Sequence, residues 1–336
     1  MDNASANSIK DTQTAEIATL DGVLDLWQAD AADVAWTSIF VLPIWLKAWW
    51  SNFGKDSDLY LLAVRQNQRT IGLAPLMRNN RTVRLIGDQD VCDCLDFVVA
   101  PHHAARFYGR LIHQLSQDGV ALLELGLIRP DSSAYTGLLP QARKMGCRIQ
   151  CELTATSYEL KLPDTWNGYL DILSGKERHE IRRKLRRLHK AGRVNFRRTD
   201  DPARVTAEME IFFKLFKLNR PDKAAFMSDQ MHAFFRDLAK RLAASGLLRL
   251  FFLELDEKPI AAVMCIDYQL TRYLYNNGYD SNYGHLSAGL LSMILSIQEG
   301  IQAGIKTYDF LKGAEPYKRR LGGQPISLFQ CRLELT

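Results

Sequence analysis

Two segments of the chain, which begin 189 residues apart, share the pattern of one β-hairpin. They are LYLLAVRQNQRTIGLAPLM (59–77) and LRLFFLELDEKPIAAVMCI (248–266). Each has an apolar strand, a short polar turn and a second apolar strand that opens on an isoleucine, Ile71 or Ile260. Helical sequences precede both hairpins, and further strands and a helix follow them. The pattern therefore predicts two copies of one fold.

The length of 336 residues suits about two domains of ordinary size. Helices come first in the second half, then an antiparallel hairpin set, then helix and strand, which predicts an α+β fold. Neither G-x-G-x-x-G nor G-x-x-x-x-G-K-[ST] occurs, so the sequence gives no support to dinucleotide or P-loop chemistry. The predicted division is a disordered tail at 1–18, a first repeat at 19–164 and a second at 165–336.

Composition narrows the class of protein further. No run of about 18 apolar residues occurs, so no transmembrane segment is expected, and the N-terminus lacks the features of a secretory signal. Six cysteines are few for a disulfide scaffold in a chain of this length. Their spacing does not form a metal site, so buried or free thiols in a reducing cytoplasm, and no metal, are the expectation. The six are Cys92, Cys94, Cys147, Cys151, Cys265 and Cys331.

A long helix is predicted over about residues 165–191, after two short strands at about 150–153 and 157–160. Residues 1–165 carry a net charge of −4 and residues 166–336 one of +9. Positive charge is concentrated in the basic helical segment 176–193, which holds nine Lys or Arg against two Glu. Its predicted anion-binding side chains are Arg182, Arg183, Arg186 and Arg187. Cations at this density repel one another, so phosphate, pyrophosphate, nucleic acid or an acidic glycan would explain them. A solvated face paired with the acidic first half is the alternative.

The segment Tyr279–Leu291 joins a strand to a helix. Ser287 is a good N-cap residue, and Gly289 permits close approach of a backbone in the first turn. A helix that opens after such a loop offers free N–H groups to an anion, with Leu290 beside them. An ordinary capped helix fits the same residues equally well.

The segment Tyr308–Gly323 places a carboxylate within an apolar strand. An unpaired Asp309 would be costly there, so it must accept hydrogen bonds or take part in chemistry. Tyr317 and Lys318 follow in a crowded, glycine-rich loop, where they can donate protons or stabilise an oxyanion. A charged surface turn is the alternative.

Taken together, these motifs resemble the GNAT-like acetyltransferase family known as CelD/BcsL or BioF2-like, a relative of the FemABX peptidyltransferases. The likeness covers roughly residues 20–333 and is specific in the second half. The motifs that carry it are R-x-x-I-R-R-x-L-R-R-L from Arg178, Y-x-Y-x-x-G-Y-D from Tyr273, L-S-x-G-L-L from Leu286 and Y-D-F-L-x-G-x-E-x-Y-K-R from Tyr308.

The resemblance implies two tandem GNAT-like (Fem-type) repeats with mixed, mostly antiparallel sheets flanked by helices. It implies that splayed central strands of the second repeat hold the acyl donor. The strand Tyr273–Tyr279 would present N–H groups to the carbonyl, and 287–291 would take the place of the pyrophosphate loop. Lys318 matches a lysine that Fem relatives hold near the reacting carbonyl.

The predicted function is N-acyl transfer, of acetyl or another acyl group, from acyl-CoA to an amine by direct attack. Asp309 is the candidate base or amine anchor, Tyr317 the candidate acid with Tyr275 as its alternative, and Lys318 a candidate for the oxyanion. The family's association with polysaccharide pathways suggests an amino sugar or polymer precursor as acceptor.

Two other functions stay open. The GNAT signature [QR]-x-x-G-x-[GA] is replaced by a looser S-x-G, so the first is Fem-like transfer from aminoacyl-tRNA. The second is a non-catalytic protein that binds nucleic acid or another anion.

Overall fold

The structure, a computed structural model, describes residues 12–28, 34–219 and 221–335. The chain forms two compact units. Unit 1 comprises Met1–Ala155 and Ser327–Thr336, and unit 2 comprises Thr156–Ile326. The predicted boundary at 164/165 therefore differs from the division found, which falls inside a strand and returns the end of the chain to unit 1.

Six strands of unit 1 pair in the order β1-β2-β3-β4-β6-β13, and the short strand β5 pairs with β3 outside this order. Neighbouring strands are antiparallel except β4 and β6, which are parallel. The strands are β1 (Thr12–Ile17), β2 (Asp58–Gln66), β3 (Arg69–Asn79), β4 (Thr82–Leu85), β5 (Val98–Val99), β6 (Leu122–Ile128) and β13 (Gln324–Glu334). The helices are α1 (Leu20–Gln28), α2 (Pro43–Phe53), α3 (Ala104–Gln117) and α4 (Leu139–Lys144), the last preceded by a π-turn over Ala134–Leu138.

Unit 2 repeats this strand order as β8-β9-β10-β11-β12-β7. Here β11 and β12 are the parallel pair, and the other neighbours are antiparallel. The strands are β7 (Arg148–Lys161), β8 (Val194–Thr199), β9 (Leu248–Leu255), β10 (Lys258–Tyr268), β11 (Thr271–Tyr279) and β12 (Thr307–Lys312). The unit boundary crosses two strands: β7 belongs to unit 1 up to Ala155, and β13 belongs to unit 2 up to Ile326. The helices are α5 (Trp166–Ile172), α6 (Gly175–Ala191), α7 (Val205–Asn219), α8 (Pro221–Phe226), α9 (Asp229–Ala244), α10 (Ala288–Gln302) and α11 (Pro316–Arg320).

The two hairpins that predicted the repeat are β2–β3 and β9–β10, and both close through two-residue loops. The loop residues Asn67 and Gln68 have φ angles of 49° and 65°, and Asp256 and Glu257 have 50° and 67°. Positive φ at both positions is typical of the type I′ turn, whose twist matches that of the paired strands. The repeat therefore extends to the backbone conformation of the turns.

The structure corrects three predictions about local order. Residues 12–17 of the predicted disordered tail form β1, which pairs with β2, whereas residues 1–11 lie outside the described residues. The helix expected from 165 to 191 is two helices, because Leu173 is extended and Ser174 caps α6 by accepting a hydrogen bond from the N–H of Glu177. Two strands expected within 150–160 are the single strand β7.

The expectation that every cysteine is a thiol is wrong for two of the six. Cys151 on β7 and Cys331 on β13, both in unit 1, form a disulfide, while Cys92, Cys94, Cys147 and Cys265 are free. Disulfides are typical of oxidising compartments. The cysteines therefore no longer support the prediction of a reducing cytoplasm.

Candidate functional site

The parallel strands β11 and β12 separate beyond a short ladder. They pair at three positions, the last of which joins Tyr273 to Asp309, yet β11 continues to Tyr279 and β12 to Lys312. A β-bulge between β10 and β11 makes Tyr275 the extra residue of β11. Because bulges bend strands, β11 turns away from β12 where their ladder ends. The carboxyl ends of parallel strands lie at one edge of a sheet, so the gap opens there.

The equivalent gap in unit 1 is filled by the chain itself. The β4–β6 ladder also has three pairs, ending at Arg84 and Glu124. Beyond it, the N–H of Leu95 donates to the carbonyl of Leu127 at 2.8 Å. The connection from β4 to α3 spans 86–103, whereas that from β11 to α10 spans only 280–287. The shorter connection in unit 2 provides much less chain to fill the gap.

That shorter connection leads into α10 through a left-handed residue. A 3₁₀ turn over Ser281–Leu286 is capped by Asp280, which accepts a hydrogen bond from the N–H of Asn282. Ser287 then has φ 61° and ψ 36°, and its side chain does not cap α10. The capping role predicted for Ser287 is therefore wrong. The first N–H groups of α10 have no acceptor within the helix, so they can bind an anion.

Two cations from α6 meet the hydroxyl of Ser287. Lys184 Nζ donates to Ser287 Oγ at 2.8 Å, and Arg187 Nη2 donates to it at 3.2 Å. Arg187 Nε is buried and has no hydrogen-bond partner among the described residues. Glu180 pairs with Lys184 at 3.1 Å. A neutral hydroxyl does not balance two cations beside the positive end of a helix, so the arrangement favours an anion.

The four arginines predicted to bind the donor fall into different places. Arg187 lies at the Ser287 loop. Arg183 instead forms a bidentate pair with Glu180, both bonds being 2.8 Å, and this pairing raises the pKa of the arginine. Arg182 and Arg186 line a groove of about 520 Å³ on another edge of α6. Lys184 was missed by the sequence analysis, although its i, i+3 spacing from Arg187 could have indicated it.

Gly289 serves packing. A Cβ atom at this position would lie 2.5 Å from the ring of Tyr279, so glycine lets the first turn of α10 contact the last residue of β11. Leu290 is half-buried against the core of unit 2. The close contact at Gly289 is thus with a tyrosine side chain, whereas the sequence predicted close approach of a backbone.

Asp309 is 3 % exposed and is tied into the end of β12. Its Oδ1 accepts the N–H of Leu311 at 2.7 Å and, at 3.4 Å, the hydroxyl of Ser157 on β7. In register, Asp309 lies opposite Glu159 of β7 and Tyr273 of β11. Directly paired residues share a face of the sheet. Asp309 therefore lies on a polar face at the point where the gap begins. No motif in the sequence had indicated Ser157.

Lys318 lies at the same end of β12, where it is 2 % exposed. Its ammonium donates to the carbonyls of Leu311 and Lys312 at 3.0 and 2.6 Å and pairs with Glu315 at 3.2 Å. A Cβ at Gly313, where φ is 126°, would lie 2.9 Å from Lys318 Nζ. Three acceptors match the three protons of an ammonium, so Lys318 holds the turn after β12 in place.

The two candidate tyrosines lie on different elements. Tyr317, on α11, packs edge-on against Phe310 with ring centroids 6.4 Å apart. Burial, together with the nearby Glu315, raises its pKa, so it stays protonated and can act as an acid. Tyr275 stacks on Phe235 of α9 at 5.6 Å. Asp309 and Lys318 therefore lie at the end of β12, Tyr317 contacts Phe310, and Tyr275 lies beyond the ladder on β11.

Residues 175–319 match the family model described as Acetyltransferase (GNAT) domain. A search by sequence among curated proteins finds no match. Among the described residues there is no helix that could span a membrane and no group of three or more His, Cys, Asp or Glu side chains that could hold a metal ion.

Solved structures share the architecture over nearly the whole chain. A crystal structure of FemX has a TM-score of 0.63 at 10% identity and covers 95% of this chain and 96% of its own. A Bacteroides thetaiotaomicron protein of unknown function has a TM-score of 0.57 at 13% identity, covering 96% and 99%. A tandem GNAT protein from the clavulanic acid biosynthesis pathway has 0.51 at 12% identity, covering 95% and 98%. The predicted tandem GNAT-like fold, with mixed and mostly antiparallel sheets, is therefore confirmed.

Proposed function

We propose that unit 2 is an N-acyltransferase that moves an acyl group, acetyl in the simplest case, from acyl-CoA to an amine. The observation that carries this proposal is the convergence of Lys184 and Arg187 on Ser287 at the start of α10. A diphosphate bound there would replace the hydroxyl as the acceptor for both cations and would receive the N–H groups of the first turn. The match of residues 175–319 to an acetyltransferase domain supports the same function.

The chemistry assigned to the gap is direct attack of the amine on the thioester. The amine nitrogen forms a bond to the carbonyl carbon, the carbon–sulfur bond breaks, and the nitrogen loses a proton. In this proposal Asp309 receives that proton or anchors the amine, and Tyr317 donates a proton to the departing thiolate, with Tyr275 as the alternative acid. The N–H groups of β11 beyond Tyr273 stabilise the oxyanion.

Lys318 has a different role in this proposal from the one first predicted. Its ammonium already has the carbonyls of Leu311 and Lys312 and the carboxylate of Glu315 as acceptors. We therefore assign it as a positioning residue that fixes the end of β12, and with it Asp309. Substitution of Lys318 by Met is expected to lower the thermal midpoint as well as activity, whereas Asp309→Asn is expected to lower activity with acyl-CoA affinity retained.

Isothermal titration with acetyl-CoA tests the donor site. Loss of one charge-assisted hydrogen bond costs about 1.5–3 kcal/mol, so Arg187→Met should weaken binding by roughly 10- to 150-fold. Arg183→Met is the matched control, because this neighbouring arginine pairs with Glu180 instead. Equal affinities of the two variants, or no binding of any acyl-CoA by the unsubstituted protein, would refute the proposal.

A second candidate function is Fem-like transfer from aminoacyl-tRNA, which the fold similarity to FemX and the cations of α6 favour. Charged tRNA should then stabilise the folded protein, and this stabilisation should fall steeply as the salt concentration rises, because phosphate contacts release counterions. The same titration series distinguishes the two donors. A third function, anion binding without catalysis, predicts that Asp309→Asn changes no measurable activity. An amino sugar or polysaccharide precursor as acceptor remains our proposal from the family resemblance.

A further inference from the structure

One row of cations on α6 has no role in the proposed donor site. Arg182, Arg186 and Lys190 recur every four residues, so their side chains follow one edge of the helix at intervals of about 6 Å. We call these three residues the cation row. All three are exposed. Arg182 and Arg186 lie on a different edge of α6 from Lys184 and Arg187, because positions 182 and 186 are rotated by roughly half a turn from 184 and by a quarter turn or more from 187. Lys190, three residues after Arg187, lies between the two edges.

The charges of the cation row are not neutralised within the described part of the chain. Several other cations of α6 and its C-terminal end have acidic partners: Arg178 pairs with Asp171, Arg183 and Lys184 with Glu180, and Arg193 with Glu257. No acidic side chain among the described residues pairs with the row. The groove beside it is lined by His179, Arg182, Leu185 and Arg186.

An exposed apolar side chain lies close to the N-terminal end of α6, before the row begins. Ile172, the last residue of α5, is 53 % exposed. The residue before it, Asp171, contacts Arg178 at 2.8 Å, and Arg178 is one helical turn before Arg182 on the same edge of α6. An aliphatic side chain near exposed cations is the combination by which peripheral proteins bind an anionic lipid surface: the cations attract the headgroups and the apolar group inserts.

We propose that the cation row and Ile172 form a docking surface for an anionic membrane. Exposed cations gain little from a single small anion, since solvent screens each contact. A surface that carries many negative charges engages all three at once. A single-stranded nucleic acid is the competing polyanion, but its sites present aromatic side chains for base stacking, and the residues of the groove and row include no Phe, Tyr or Trp. The lipid surface therefore fits these residues better.

Flotation of the full-length protein with vesicles tests this proposal. The vesicles contain either phosphatidylcholine alone or equal parts of phosphatidylcholine and phosphatidylglycerol. Binding to the anionic vesicles only, falling with salt, is expected. Each cation near such a surface contributes about a fivefold gain, so the Arg182→Gln, Arg186→Gln, Lys190→Gln variant should partition about 150-fold less. Ile172→Ser should weaken binding roughly tenfold.

A variant with the same change of net charge serves as the matched control. Arg236→Gln, Lys258→Gln and Lys306→Gln remove three cations from other surfaces of unit 2 and should leave binding within about threefold of the unsubstituted protein. Equal losses in the two triple variants, or equal binding to both kinds of vesicle, would overturn the proposal. So would row-dependent binding to single-stranded RNA or to tRNA without binding to vesicles. Acyl-CoA is absent from the assay, so its result is independent of the proposed catalytic activity.

Discussion

Removal of Arg272 from β11 is expected to destabilise unit 2 strongly. Arg272 is fully buried, and its guanidinium bonds both carboxylate oxygens of Asp267 at 2.7 Å, the carbonyl of Ser296 at 2.8 Å, and Glu299. Arg272→Met would leave the two carboxylates without their central partner. Breaking one side of a buried pair costs about 3–5 kcal/mol. Asp267 and Glu299 also form salt bridges with other arginines, so we expect a cost in the lower half of that range.

Urea unfolding monitored by circular dichroism measures this loss as a shift of the transition of unit 2. Lys306→Met is the control, because Lys306 pairs with Asp164 on the surface, where a salt bridge contributes at most about 1 kcal/mol. A cost below about 1 kcal/mol for Arg272→Met would show that the buried network is not needed to hold β11. Because β11 is also one wall of the gap, acyl-CoA affinity should fall with stability in this variant and be unchanged in the control.

Three further outcomes are expected. Burial raises the pKa of Asp96 to about 6, so the folded state of unit 1 keeps a proton that the unfolded chain loses near pH 4. The stability of unit 1 should therefore fall as pH rises from about 4 to 6, and unfolding titrations of Asp96→Asn should show a weaker dependence on pH. Gly278→Ala should lower the thermal midpoint, since its Cβ would lie 2.4 Å from the backbone of α7, whereas Gly284→Ala, with nothing within 4 Å, should not. Removal of the Cys151–Cys331 disulfide should cost about 2–5 kcal/mol of stability in unit 1, measured by unfolding with and without reductant.

The parts of the fold that the sequence predicted are those that depend on local patterns. The pairs of apolar runs separated by a short polar turn indicated both hairpins, and the observed strands agree with the expected ones to within a few residues. The pairing of β7 with β12 and of β13 with β6 was not predicted, because each pair joins strands that lie far apart in the sequence. Periodicity also did not show the break at Leu173, where a capping serine starts a new helix within an otherwise helical pattern.

The candidate site was predicted in its residue types and only partly in its geometry. Asp309 was selected because a carboxylate in an apolar strand needs donors, and the structure supplies an N–H and a hydroxyl. Helix periodicity placed Arg187 correctly on one flank of α6 but carried no information on which flank contacts α10, 100 residues away in sequence. Lys318 was expected to face a substrate, and its burial against backbone carbonyls depends on the turn at Gly313, which sequence alone did not reveal.

The excess charge of the second half has a physical consequence for α6. A helix with this many cations is penalised by repulsion between its own side chains, and Glu177 and Glu180 offset only part of that cost. Burial of Ile181 and Leu188 fixes the rotation of the helix, so each remaining cation has a defined direction. Lys184 and Arg187 point to Ser287, while Arg182 and Arg186 line the groove. If both edges bind anions, acyl-CoA should protect the protein against heat in the cation-row variant as well as in the unsubstituted protein, whereas Arg187→Met should lose that protection and keep its affinity for anionic vesicles.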